Sequence, residues 1–133
     1  MQNNIFTNLK WLKEPDENFS LIINNIKNKN VDIANSFELI NHYYLDFRNT
    51  QIINGILSKR NFTDKNNLYE DFNLGIISNS NFEFIIPSLK AYALKHYIIL
   101  NCYNAPYGQT INYLNKVDNI YNKKKIDAFL IAI

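Results

Sequence analysis

The stretch Ser88-Leu89-Lys90-Ala91-Tyr92-Ala93-Leu94-Lys95-His96-Tyr97-Ile98-Ile99-Leu100-Asn101-Cys102 decides the fold class. Leu89, Tyr92, Ala93, His96, Tyr97, Ile99 and Leu100 recur at helical steps, so the spacing predicts one long buried helix. Just upstream, Ser80-Asn81-Phe82-Glu83 has the form of a capping box, with Ser at the cap and Glu three residues on. Pro87 then forbids an uninterrupted helix and implies a short turn or a kink before the long segment. Phe82–Ile86 is the one stretch whose pattern also fits a strand. Residues 61–81 are polar and irregular, anchored by Leu68, Tyr69 and Phe72, with Gly75 as the expected stop. Downstream, Asn104-Ala105-Pro106-Tyr107-Gly108 reads as a loop. Ile111, Leu114, Val117, Ile120 and Tyr121 resume helical spacing. Ile126, Phe129, Leu130 and Ile133 fit a last helical turn.

The first half of the chain carries the same period more plainly. Ile33, Phe37, Ile40, Tyr44 and Phe47 form one stripe of a helix over Val31–Arg48, and Leu39, Tyr43 and Leu45 widen its apolar arc. Pro15 suits a first helical position, and Asp16 and Glu17 suit the positive end of the helix dipole. Phe19, Ile22, Ile23 and Ile26 then mark a buried face that ends near Asn28–Asn30. Ile5, Phe6, Leu9 and Leu12 are in phase for a short helix over Asn3–Lys13. Ile52, Ile53, Ile56 and Leu57 fit a helix over Thr50–Arg60, weakened by about 1 kcal/mol at Gly55. With only 3 Gly and 3 Pro there is little punctuation for a many-stranded fold. The expectation is therefore an all-α fold, a single compact bundle of about six to seven helices forming one helical domain over residues 1–133.

Composition narrows the function. At 133 residues and 47% hydrophobic, the chain can bury a real core and is not intrinsically disordered. Its 24 Asn and 20 Ile match A/T-rich codons, so Asn abundance reflects the gene more than the fold. Net charge is +2, well short of a dedicated nucleic-acid binder. The charge is unevenly placed: residues 14–46 hold six acids against Lys27 and Lys29, whereas residues 84–133 hold six Lys against Asp118 and Asp127. Cys102 is the only cysteine and implies no disulfide. The Met1–Asn8 start lacks the basic and apolar pattern of a secretion signal, and no window approaches the ~20 apolar residues of a membrane helix. A cytoplasmic protein is expected.

No catalytic or metal pattern emerges. His42 and His96 could act as an acid–base pair in RNA cleavage, yet His42 has Asp46 one helical turn away and His96 sits beside Lys95 and Tyr97. An Arg five to seven residues before either His, as in helical nucleases, is missing. Cys102 lacks a base on its own helical face, since His96 falls nearly opposite. No cysteine pair, His–x–x–x–His or Gly-rich phosphate loop exists, so no metal, no cofactor and no enzymatic activity is expected. An alternative is a helical DNA-binding regulator using the 109–130 segment, where Asn112, Asn115, Asn119 and Asn122 recur at helical spacing beside Lys116 and Lys123–Lys125. The favoured reading is a protein-binding face of acids and tyrosines: Asp64, Tyr69, Glu70, Asp71, Tyr103 and Tyr107. Tyr supplies contact area at low entropy cost, and the acids suit a basic partner.

With its Asn/Ile/Lys/Tyr bias, its lack of catalytic groups and its acidic stretch Asp64–Glu83, the chain resembles the small immunity proteins of bacterial contact-dependent growth inhibition and related polymorphic-toxin systems. The resemblance implies a non-enzymatic protein that binds one cognate toxin domain, commonly a nuclease, and blocks its active site. The mildly positive net charge departs from the strongly acidic inhibitors of some nuclease toxins and favours local contacts over broad charge mimicry.

Overall fold

The computed structural model describes residues 12–28, 33–59, 68–106, 108–116 and 119–132. The chain divides into two compact units, Met1–Asn66 and Asn67–Ile133. The helix expected over Asn3–Lys13 lies outside the described residues except at its last two positions, where Lys13 pairs as an extended residue.

The first unit is helical, as its periodicity predicts. Helix α1 (Glu17–Lys27) starts at Asp16, not at Pro15: the Asp16 carboxylate accepts the Phe19 N–H at 3.0 Å and caps the first turn. Glu17 in the first turn and Lys27 in the last complement the helix dipole. Phe19, Ile23 and Ile26 are buried at helical spacing. The helix expected over Val31–Arg48 stops early, as helix α2 (Ile33–Ile40), and helix α3 (Phe47–Lys59) is the one expected over Thr50–Arg60, begun three residues sooner. The break has a physical cause. Lys13 and Tyr43 form a parallel bridge, in which the Lys13 N–H donates to His42 O at 2.8 Å and the Tyr44 N–H to Lys13 O at 2.7 Å. Those residues cannot be extended and helical at once. Asp46, expected to pair with His42, instead caps α3 by accepting the Asn49 N–H at 2.7 Å.

The second unit corrects the all-α expectation. It holds a three-stranded parallel sheet of order β2-β1-β3, built from β1 (Glu70–Ser78), β2 (Ile98–Asn104) and β3 (Ala128–Ala132). Helix α4 (Ile86–Leu94) joins β1 to β2, and the short helices α5 (Thr110–Leu114) and α6 (Ile120–Lys123) join β2 to β3. Glu70 lies opposite Ile98 and Leu74 opposite both Cys102 and Ala128. The long helix expected over Ser88–Cys102 therefore ends at Leu94 and gives way to a strand, and the last helical turn is also a strand. The short turn expected before Pro87 forms over residues 83–85, and Pro87 then sits in the first turn of α4, where its missing N–H costs nothing. The Ser80–Glu83 capping box does not form. Asn81 accepts the Glu83 N–H at 2.9 Å in a local turn, and α4 begins only at Ile86.

Successive residues of a strand face opposite ways. Phe72, Leu74, Ile76, Leu100 and Cys102 share the face that α4 packs on, where Pro87, Ala91 and Leu94 are buried and Lys90 lies near Cys102. Burying a side chain as completely as Ile76 contributes about 1.5–3 kcal/mol. Asp71, Asn73, Gly75, Asn101, Tyr103, Phe129 and Ile131 share the other face, reached by α6 through Tyr121. The Tyr121 hydroxyl donates to Ile76 O at 2.6 Å and accepts the Ala105 N–H at 2.7 Å, and its ring meets Phe129 edge-on. The two crossovers thus cover opposite faces, as right-handed connections on either side of a central strand require. Gly75, expected as a stop, sits mid-strand because the Phe129 ring crosses it: a Cβ there would lie 2.5 Å from a ring carbon.

Candidate functional site

The amino ends of β1 and β2 hold the least ordinary backbone of the second unit. After α4 the chain tightens, with the Lys95, His96 and Tyr97 N–H groups donating to Tyr92, Ala93 and Leu94 O. Tyr97 then turns into β2 with φ of 59°, a left-handed conformation normally given to Gly or Asn. For a residue with a Cβ that conformation costs roughly 1–2 kcal/mol. The turn is fastened by the Glu70 N–H, which donates to Tyr97 O at 2.9 Å. The Tyr97 ring lies 5.5 Å from that of Tyr69, tilted by 53°. Tyr69 is 8% exposed and Tyr97 39%, so Tyr69 is the wall and Tyr97 the presented ring.

Beyond this corner the face opposite α4 carries a polar ladder. The Asn101 amide donates to Asp71 Oδ1 at 3.2 Å, and the Tyr103 hydroxyl donates to Asn73 Oδ1 at 3.4 Å. Asp127 clamps the same strand, accepting the Asn73 N–H at 2.8 Å and donating its own N–H to Asn73 O at 2.9 Å. Lys124 Nζ lies 5.9 Å from the Tyr103 ring centroid. Faces of parallel sheets are ordinarily covered and apolar. Here half of one face is polar, with Asp71 exposed and Asn73, Asn101 and Tyr103 half-buried.

The structure thus rearranges the face expected from sequence. Asp64 and Tyr107 lie outside the described residues. Tyr69 is a core residue. Glu70 and Asp71 are both exposed, but alternation sends them to opposite faces of the sheet, so they do not form one acidic patch. Asp71 and Tyr103 do share a face, in neighbouring pairs of the ladder. Tyr97, Asn73 and Asn101 belong to the site and escaped sequence reading. The pairs Asp71/Asn73 and Asn101/Tyr103 carry a period of two that becomes visible only once the strands are matched.

The other candidates are dispersed or occupied. His42 sits in the turn after α2 and His96 in the turn after α4, each exposed and each in a different unit. Burial raises the Cys102 thiol above its usual range, with Lys90 opposing weakly, which disfavours a nucleophilic thiolate. Among the described residues no three His, Cys, Asp or Glu gather as metal ligands. The 109–130 segment is not a recognition helix: α5 has 5 residues and α6 has 4. Asn119 of its Asn row is buried, caps α6, and donates to Leu114 O and Lys116 O. A cleft of about 50 Å³ opens between the loops that follow β1 and β2, lined by Ser78, Ser80, Asn81, Glu83 and Asn104. Loops that leave for opposite faces are where open α/β sheets hold ligands. This one admits a water or two and is far below the ~300 Å³ of small-molecule sites.

No helix among the described residues is long and apolar enough to cross a membrane. Compared with known proteins, the chain matches no family model, no curated protein and no solved structure.

Proposed function

We propose that this chain is a non-catalytic binding protein of the cytoplasm that neutralises a cognate toxin domain, with a nuclease as the expected class of toxin. One observation supports the reading above others: Tyr97 is kept in a costly left-handed backbone while its ring stays exposed at the head of a polar sheet face. In a chain with 24 Asn, a residue better suited to that backbone was available to the same gene. Strain of this kind is concentrated at binding and active sites. Tyr97, Asp71 and Asn101 would offer the partner one aromatic anchor, one carboxylate and one amide, a combination suited to a basic surface.

The test is co-expression of the tagged chain with the product of the neighbouring gene, followed by affinity measurement on the purified pair. A 1:1 complex is expected, and Asp71→Lys and Tyr97→Ala should each weaken it about tenfold or more, equivalent to about 1.4 kcal/mol. Glu70→Lys, on the opposite face, should change it little. Failure to recover a protein partner, or equal affinity in all three variants, would refute the reading.

A further inference from the structure

We infer that β3 pairs antiparallel with β3 of a second copy of this chain, joining two sheets across a two-fold axis at Leu130. In the order β2-β1-β3, β3 is an edge among the described residues. Its sequence Ala128-Phe129-Leu130-Ile131-Ala132 has no charge and no proline, two of the usual guards of an exposed edge. Phe129 is 49% exposed and Ile131 61%, both on the face opposite α4.

The backbone fixes which groups are unspent. The Glu70 N–H donates to Tyr97 O, so Glu70, Phe72, Leu74 and Ile76 turn their backbone groups to β2, while Asn73, Gly75 and Ile77 turn theirs to β3. Asn73 O accepting the Asp127 N–H agrees with this. In a parallel pair the residue opposite an inward-turned one is turned away. Phe129 lies opposite Gly75 and Ile131 opposite Ile77, so the N–H and C=O of Phe129 and Ile131 point off the sheet.

A two-fold axis at Leu130 satisfies these groups with one another. Phe129 of one copy then meets Ile131 of the other in a hydrogen-bonded pair, on both sides of the axis. Ile131 of each copy then meets the exposed edge of Phe129 in the other, whose ring stays seated over Gly75 and against Tyr121, an aromatic–β-branched pairing of the kind that stabilises sheets. Charge permits the arrangement. Lys125 and Asp127 lie at the amino end of the strand, and antiparallel pairing places the two amino ends at opposite ends of the seam, so like charges are not opposed.

Sedimentation velocity of the full chain over a wide concentration range tests this, alongside two variants. The wild type should dimerise reversibly, and Ile131→Lys should weaken dimerisation about tenfold or more, because a lysine on an edge resists pairing. Leu130→Cys should give a disulfide-linked dimer under mild oxidation, since directly opposed residues lie ~4.5–5.5 Å apart at Cα and within disulfide reach. The wild type, with Cys102 alone, should not. A wild type that stays monomeric throughout, a dimer indifferent to Ile131→Lys, or absence of the Leu130→Cys crosslink would each overturn the inference.

Discussion

Each unit has an aspartate at the centre of its polar contacts, and the two are used differently. Asp16 ties three parts of the first unit together. It pairs with Lys13 at 2.5 Å, caps α1 through the Phe19 N–H, and accepts the Tyr43 hydroxyl at 3.1 Å. Tyr43 in turn lies against Phe19, with ring centroids 5.2 Å apart, and beneath the Lys13 ammonium. Every partner of Asp16 belongs to its own unit, and most of its acceptor capacity is occupied. Asp71 accepts the Asn101 amide on an exposed sheet face and retains further acceptor positions. The contrast separates a carboxylate that organises a fold from one that is available to a partner.

The contrast can be broken most forcefully at Gly75, which holds the sheet face together beneath Phe129. Gly75→Val should destabilise the second unit by about 1–3 kcal/mol, the usual cost of overpacking, and adding Phe129→Ala should recover part of it. Denaturant titration of the single and double variants measures both. A harmless Gly75→Val would mean that the Phe129 ring does not need its place.

Asp16 gives the next effect, in pH. Its carboxyl is held down to about 2 from an ordinary 3.8, first by the Lys13 hydrogen bond and then by the Phe19 N–H. The folded state therefore binds that proton less readily than the unfolded chain. The stabilisation is complete above about pH 4 and is lost as pH falls toward 2. Thermal melts between those limits should show the decline in the wild type and a flatter profile in Asp16→Asn. Asp16→Asn should also lower the melting temperature at neutral pH while leaving partner affinity unchanged, the reverse of Asp71→Lys.

The smallest stability effect is expected at Tyr97. Tyr97→Gly removes the left-handed cost of roughly 1–2 kcal/mol but forfeits the ring contact with Tyr69, worth about 0.5–1.5 kcal/mol. Stability should change by no more than about 1 kcal/mol while partner affinity falls about tenfold. A large loss of stability would make Tyr97 a structural residue and remove the main support for the binding site.

The helices of the first unit were legible because their buried residues, such as Phe19, Ile23 and Ile26, repeat at a period that no strand produces. The strands were not. Ile98-Ile99-Leu100 is a continuous apolar run that fits a buried helix as well as a buried strand, and the helical stripe of Leu89 to Ala93 extended smoothly into it. In β1, Asp71 and Asn73 alternate with Phe72 and Leu74, but the pattern looks irregular without its partners, which stand 30 and 54 residues away. The candidate site fared likewise. The acids and tyrosines were visible as types, but the assignment of Glu70 and Asp71 to opposite faces follows from the strand, and the exposure of Tyr97 follows from a turn that no Gly or Asn announced.

The sheet order also bears on biosynthesis. β1 is the first strand to leave the ribosome, yet it lies in the middle of the finished sheet. Its partner at Asp127 is made 54 residues later, about 3–11 s at ordinary translation rates. Leu74, Ile76 and Ile77 emerge with bare backbone on both sides until β2 follows about 30 residues behind, and the side that β3 will take stays bare for the whole interval. The nascent chain is then most open to capture by a chaperone or to misassembly with its neighbours on the same message, and synonymous codons between Asn79 and Asp127 would set how long that window stays open.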